Sequence, residues 1–305
     1  MNALARHLVQ ELRPIRRQAR VLYLGATFWM ASALVHLVAL GADGWNWSGA
    51  VSFRKPLTFS ISVGLLMATV GWVLDRLRDR RRLAGVLAWT FLVSSSVEVA
   101  LITMQAWRGR ASHFNVMESG DAITFAVMGG MVGLMSLCLV GLLVWSLIER
   151  PAEPLVRLAI VGGLLLVATG LGIGQWIIQL GVDYVEARGA VPETVIYGNA
   201  GVAKFPHAIA FHGIQLFILA AIALRAGSLS DSSKKRVMRL VVLSYAAMLA
   251  FASAQTIAGS APTDPTVWSV GLALSLVILA TALTRAARGF RRGVATEPVE
   301  AAKVA

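Results

Sequence analysis

A chain of 305 residues that is 57% hydrophobic and only 14% charged, with a mean hydropathy of +0.69, is too apolar for an ordinary soluble domain. Charge-poor runs of about 20 residues recur along it, the length a helix needs to cross a bilayer and too continuous for the alternating strands of a membrane barrel. The net charge of +12 is spread in a way that fits membrane topology and gives no case for nucleic acid, and the single cysteine, Cys138, excludes an intramolecular disulfide and any CxxC metal or haem-attachment motif.

The expected fold is all-α: a polytopic integral membrane protein of about eight transmembrane helices. Residues 1–20 form a basic segment suited to an interfacial amphipathic helix. Span 1 covers about 21–41, and a loop with Trp45 and Trp47 as interface anchors follows. Pro56 opens span 2, about 56–74, since proline suits the first turn of a helix. After an arginine-rich loop come span 3 at about 83–107 and span 4 at about 121–148. Span 5 covers about 156–180, a polar loop 181–203 precedes span 6 at about 206–224, and spans 7 and 8 lie at about 238–258 and 267–284. A basic tail, 287–305, ends in a stretch with the composition of a disordered segment.

Eight spans place both termini on one side. The loops and ends of that side hold 22 of the 28 lysines and arginines and the opposite side holds 6, so the positive-inside rule makes both termini cytoplasmic, in a plasma (inner) membrane. Anionic headgroups of the lipid bilayer are the expected contacts of this charge.

The two sets of spans, 21–148 and 149–286, also look related. Pro56 and Pro206 are 150 residues apart, and the same offset pairs Arg54 with Lys204, Ser94 with Ser244, Gln105 with Gln255 and Gly109 with Gly259. Four spans per half insert the same way up, which predicts two four-helix parallel repeats. Glu98 pairs with Met248 and Ser62 with His212, so the halves differ chemically.

The chemistry-bearing residues gather toward the extracytoplasmic side. Ser94, Glu98 and Gln105 share one helical stripe, and a carboxylate inside a membrane helix costs about 3 kcal/mol on insertion scales, which marks Glu98 as a candidate acid/base or proton relay. His36 and His212, each several residues inside a span, form a candidate axial pair for haem b; His36, Glu98 and His212 would alternatively hold a transition metal. Arg54, Lys55, Arg108, His113, Asn115, Gln175, Gln179, Lys204, His207, Gln215, Gln105 and Gln255 complete the expected pocket. Each has a plain structural alternative: snorkelling for the cations, interhelical hydrogen bonding for the amides and histidines. No HExxH, EF-hand, P-loop or GxSxG motif occurs. In architecture alone, eight spans in two halves with histidines near the outer face, the chain resembles haem A synthase, but that family's Glu-x-x-His-Arg signature is absent.

Three functions stay open on these residues, beside a structural or assembly role with no chemistry of its own. One is binding of haem b or a transition metal for redox chemistry, electron transfer or metal handling, with a small-molecule or redox partner outside. Another is a small-solute or ion transporter or channel with Glu98 and His212 as proton relay. The last is a membrane enzyme acting on a lipid-borne substrate.

Overall fold

The computed structural model describes residues 9–296 except 48, 79, 150, 152 and 193–202. Residues 1–8 of the basic segment, much of the 181–203 loop and the tail from 297 lie outside the described residues. Among the described residues, eight helices are long and apolar enough to cross a membrane: α1 (Arg17–Ala42), α2 (Arg54–Arg76), α3 (Arg81–Trp107), α4 (Ser119–Glu149), α5 (Pro154–Arg188), α6 (Lys204–Ala226), α7 (Asp231–Ile257) and α8 (Val267–Thr296). No strand occurs among the described residues.

The helices outrun the apolar spans at several ends. α5 continues to Arg188, through the first third of the expected polar loop, and stops at Gly189, whose φ of 59° gives the left-handed C-cap glycine adopts freely. α7 begins at Asp231, ahead of the expected start of span 7 at about 238, where an acidic first turn suits the positive end of the helix dipole. α8 takes in the first part of the expected tail. Hydropathy marks where a helix meets lipid, while arginine, lysine and alanine extend it readily beyond. The basic N-terminal segment differs in another way. Residues 9–12 are helical, but the chain then breaks before α1 and straps the end of α2: the Ile15 and Arg16 amides donate to Asp75, and the Arg16 guanidinium donates to the Leu74 and Leu77 carbonyls at 2.6 and 2.7 Å.

α2 and α6 form the centre. α2 buries 67% of its most apolar stretch and α6 50%, more than any other helix. α1 and α3 pack against α2; α5, α7 and α8 pack against α6; α2 touches α6, and α4 touches α5. Small residues permit this closeness: a Cβ on Gly163 of α5 would lie 2.8 Å from the Ile214 backbone of α6.

Local geometry recurs at an offset of 150 residues. α2 and α6 each span 23 residues and α3 and α7 each span 27, starting at Arg54 and Lys204 and at Arg81 and Asp231. Both α3 and α7 leave through a left-handed glycine, Gly109 (φ 66°) and Gly259 (φ 72°). The amide after each glycine returns to the matching glutamine carbonyl, Arg110 to Gln105 at 2.9 Å and Ser260 to Gln255 at 3.1 Å. At the end of the bundle that holds the termini, Glu11 joins the two groups of helices by accepting from Arg76 (3.2 Å) and Arg225 (2.9 Å), and Arg225 also pairs with Glu153.

Candidate functional site

The site lies at the end of the bundle opposite the termini, around Glu98. This carboxylate is nine residues before the end of α3, about 13 Å in at 1.5 Å per residue. Ser94, Glu98 and Gln105 are all buried, as their shared stripe predicts, and Glu98 is only 1% exposed. Neither of its oxygens has a hydrogen-bond partner among the described residues. Its nearest cationic-capable neighbour is His113, whose Nε2 lies 3.8 Å from Oε1. A carboxylate so enclosed has lost its water and received little in return, the arrangement that is costly unless a partner or a proton makes up the difference.

His113 stands in the loop between α3 and α4 and points inward. Its Nδ1 is 3.0 Å from Lys55 Nζ on α2 and 3.2 Å from Ser112 Oγ. An ammonium only donates, so Nδ1 accepts, the ring proton sits on Nε2, and Nε2–H faces Glu98. The rings of Phe59, Phe114 and Phe125 surround the imidazole, with centroids 5.8 to 6.2 Å away. Burial, and after it the charges of Lys55 and Lys204, hold the His113 pKa well below its ordinary value. Lys55, His113 and Glu98 therefore form one chain of titratable groups from the start of α2 to the interior of α3.

The loop is built to aim this histidine. Asp121, 1% exposed at the start of α4, accepts from Gln105 (2.8 Å), Asn115 (2.8 Å) and Arg108 (3.3 Å) and clasps both ends of the loop. Phe114 has a left-handed φ of 60°, rare for a bulky residue, and is held there by burial of its ring against Gly181 of α5, where a Cβ would come within 2.3 Å of the ring. Strained backbone beside an inward-facing imidazole is the kind of local cost that accompanies functional sites.

Other expected site residues fall elsewhere. Buried His36 has Nδ1 2.8 Å from the Ser32 carbonyl and Nε2 3.4 Å from Trp107 Nε1, so its acceptor nitrogen is occupied by an indole N–H. His212 lies on an exposed face of α6, and Gln215, one turn on, turns its carboxamide back to the Phe211 and His212 carbonyls. The expected convergence of His36, Glu98 and His212 on one cavity is corrected here: among the described residues no group of three His, Cys, Asp or Glu is placed to hold a metal ion. One polar residue does not fix how a helix is rotated, and α6 turns Ala210, Gly213 and Ile214 inward instead. His207, half-buried, contacts the Gly170 carbonyl at 2.8 Å and stacks near Phe211. Gln175 and Gln179 are exposed, the latter bonded to Asp183. Buried Gln255 closes the α7 exit on the Ala261 and Asp264 carbonyls and accepts from Thr266.

Arg54 and Lys204 bring two more cations to the chain. Arg54 is 5% exposed and donates through Nε to the Trp47 carbonyl at 2.7 Å. Lys204 starts α6, the helix that touches α2. Two signals in the sequence mark the site: Lys55 beside the opening proline of α2, and His113 in a loop rich in hydrogen-bonding residues.

Fold and site together define a multi-pass, all-helical protein with the length and apolarity of a membrane protein and a buried Lys–His–Glu chain near one face. No family model, curated protein or solved structure matches the chain.

Proposed function

We propose that this is a bacterial-type inner-membrane transporter that moves a small solute with protons, using Lys55, His113 and Glu98 as the proton-exchanging chain. The observation that carries the reading is Glu98: a carboxylate 1% exposed and, among the described residues, without a hydrogen-bond partner and facing a histidine that a lysine contacts in turn. An intramembrane ionisable group paired with another and opening toward one face marks an ion or proton pathway. His113 takes the relay role first considered for His212. Its two nitrogens face a donor on one side and a proton acceptor on the other, so a proton arriving at Nδ1 and one leaving Nε2 cross the ring without the ring moving.

The equal bounds of α2 and α6 and of α3 and α7, with matching glycine exits, support a duplicated scaffold of two parallel four-helix repeats related by an axis along the membrane normal. The charge split supports cytoplasmic termini and an extracytoplasmic site. Reporter fusions after Gly44 and Gly189 are expected to read outside and one after Ser230 inside; an outside reading at Ser230 overturns this orientation.

The relay is tested in proteoliposomes holding a pH-sensitive dye, with a potassium diffusion potential as driving force. Wild-type protein is expected to acidify the lumen, and Glu98→Gln, which keeps shape and removes the titration, to abolish the signal. Glu98→Gln with wild-type flux refutes the relay. Flux abolished by Glu98→Gln and retained by His113→Asn would remove the histidine from it.

A further inference from the structure

We infer that residues 9–16 form a latch whose Glu11 carboxylate locks α2 to α6 at the end of the bundle that holds the termini. Its release lets α1–α4 and α5–α8 part there. The inference rests on the transport reading and names the gate on the side away from Glu98. The latch is moored on α2. Asp75 accepts from the Ile15 and Arg16 amides at 2.8 and 3.0 Å, and the Arg16 guanidinium closes on the Leu74 and Leu77 carbonyls. From that mooring Glu11 reaches across to Arg225 of α6 at 2.9 Å, while also accepting from Arg76 of α2 at 3.2 Å. Val9 and Ile15 stay exposed and Leu12 rests against the core, so polar contacts hold the segment more than burial does.

The surroundings make this contact a release point. α2 and α6 touch each other far less closely than either packs against helices of its own group, so the Glu11 link weighs heavily between them. Each arginine also keeps a partner in its own group when Glu11 leaves. Arg225 pairs with Glu153 at 2.9 Å, and Arg76 lies 3.6 Å over the Trp72 ring. Opening therefore strands no buried charge, and the two arrangements differ little in energy, as a switching element requires. Two cavities of about 430 and 380 Å³ meet at the link, with Glu11, Glu153 and Arg225 lining both. Water reaches the carboxylate there, so Glu11 exchanges an arginine for solvent without crossing an apolar layer. Rocking of one group of helices against the other exposes a central site to each face in turn, and one shared carboxylate is a contact such a motion breaks and remakes.

The test uses the full-length protein in lipid nanodiscs. Cys138→Ala, Arg82→Cys and Lys235→Cys together place one spin label at an exposed position near the start of α3 and one near the start of α7. Pulsed electron paramagnetic resonance reads the distance between them. Glu11→Gln keeps the shape and removes the charge, and it is expected to raise the ratio of long to short distances about fivefold, the weight of one partly exposed ion pair. Arg225→Gln cuts the link from α6 and is expected to do the same, so the test stands if either variant fails to fold. Glu153→Gln leaves Glu11 between its arginines and is expected to keep the parent distances. Parent distances in Glu11→Gln and Arg225→Gln overturn the latch, and so does equal widening in Glu153→Gln, which shows a general loosening of the charged end. Proton flux is read separately in proteoliposomes. Widened distances without wild-type flux uphold the latch and remove the relay; parent distances with flux that Glu98→Gln abolishes do the reverse.

Discussion

The two halves leave α3 and α7 by the same route and then diverge. Asp121 follows Gly109 by 12 residues, while Asp264 follows Gly259 by 5. The short connection is closed locally: Gln255 donates to the Asp264 carbonyl, and the Asp264 carboxylate takes the Ala261 amide. The long one is closed by side chains, Gln105, Asn115 and Arg108 on the Asp121 carboxylate, and its extra residues carry His113 and Phe114 inward. Where the first half sets Lys55 and Glu98, the second sets Phe205 and Met248. At matching offsets one exit thus carries an apolar contact and the other a chain of titratable groups, and the two differ by a longer loop and by the residues at two positions.

The largest expected effect comes from the paired positions inside α3 and α7. Glu98→Gln is expected to lower proton flux by about a hundredfold or more, the scale of losing a positioned proton-transfer group. Met248→Gln, at the matching place, is expected to leave flux within twofold and to cost only packing. Equal losses from the two substitutions would remove the functional asymmetry between the halves.

The glutamines sharpen the contrast. Gln105 and Gln255 are both fully buried and both bond the exit of their helix. Alanine at either is expected to destabilise the protein by about 2 kcal/mol, the cost of buried partners left unmade. Gln105→Ala should also slow proton flux, because the loop that aims His113 loses its clasp, and Gln255→Ala should not. Melting curves and flux measured on the same preparations separate the shared structural role from the added one.

An acid sensitivity is expected from the loop between α3 and α4. In the folded protein His113 stays neutral well below its ordinary pKa, whereas in the unfolded chain it takes up a proton near pH 6.5. At this site the unfolded state then binds more protons, so the His113 contribution to stability is level above about pH 6.5 and falls below it by up to about 1.4 kcal/mol per pH unit. His113→Asn should flatten that slope between pH 6.5 and 5 in thermal melts; an unchanged slope would show that the histidine is not held neutral.

The sequence was most legible where the bilayer dictates it. Apolar runs of the right length located all eight helices, and the offset of 150 located the paired glycine exits. The burial of Glu98 followed from its stripe with Ser94 and Gln105. The partners of Glu98 did not follow, because Lys55 and His113 meet it only through loop closure over α2 and α3, and no helical period encodes that contact. His212 differs from its expected inward placement for a related reason: a histidine inside an apolar run does not fix the rotation of its helix, and the packing of α6 turns small residues inward instead. The Glu11 link between Arg76 and Arg225 joins segments more than 200 residues apart and leaves no local trace.

The smallest expected effect is also the strictest test of the common frame. Gly109 and Gly259 hold φ of 66° and 72°, and at neither would an added Cβ meet another atom within 4 Å. The cost of alanine there is therefore almost purely conformational, about 1 kcal/mol for placing an L-residue in the left-handed region. Since the flanking hydrogen bonds match in the two exits, Gly109→Ala and Gly259→Ala should lower Tm equally, within the error of the measurement. Flux is expected to fall only in Gly109→Ala, and only as far as the tilted loop moves His113 from Glu98. If the two Tm changes differ by several degrees, the exits are not energetically equivalent, and the likeness of the halves is one of outline alone.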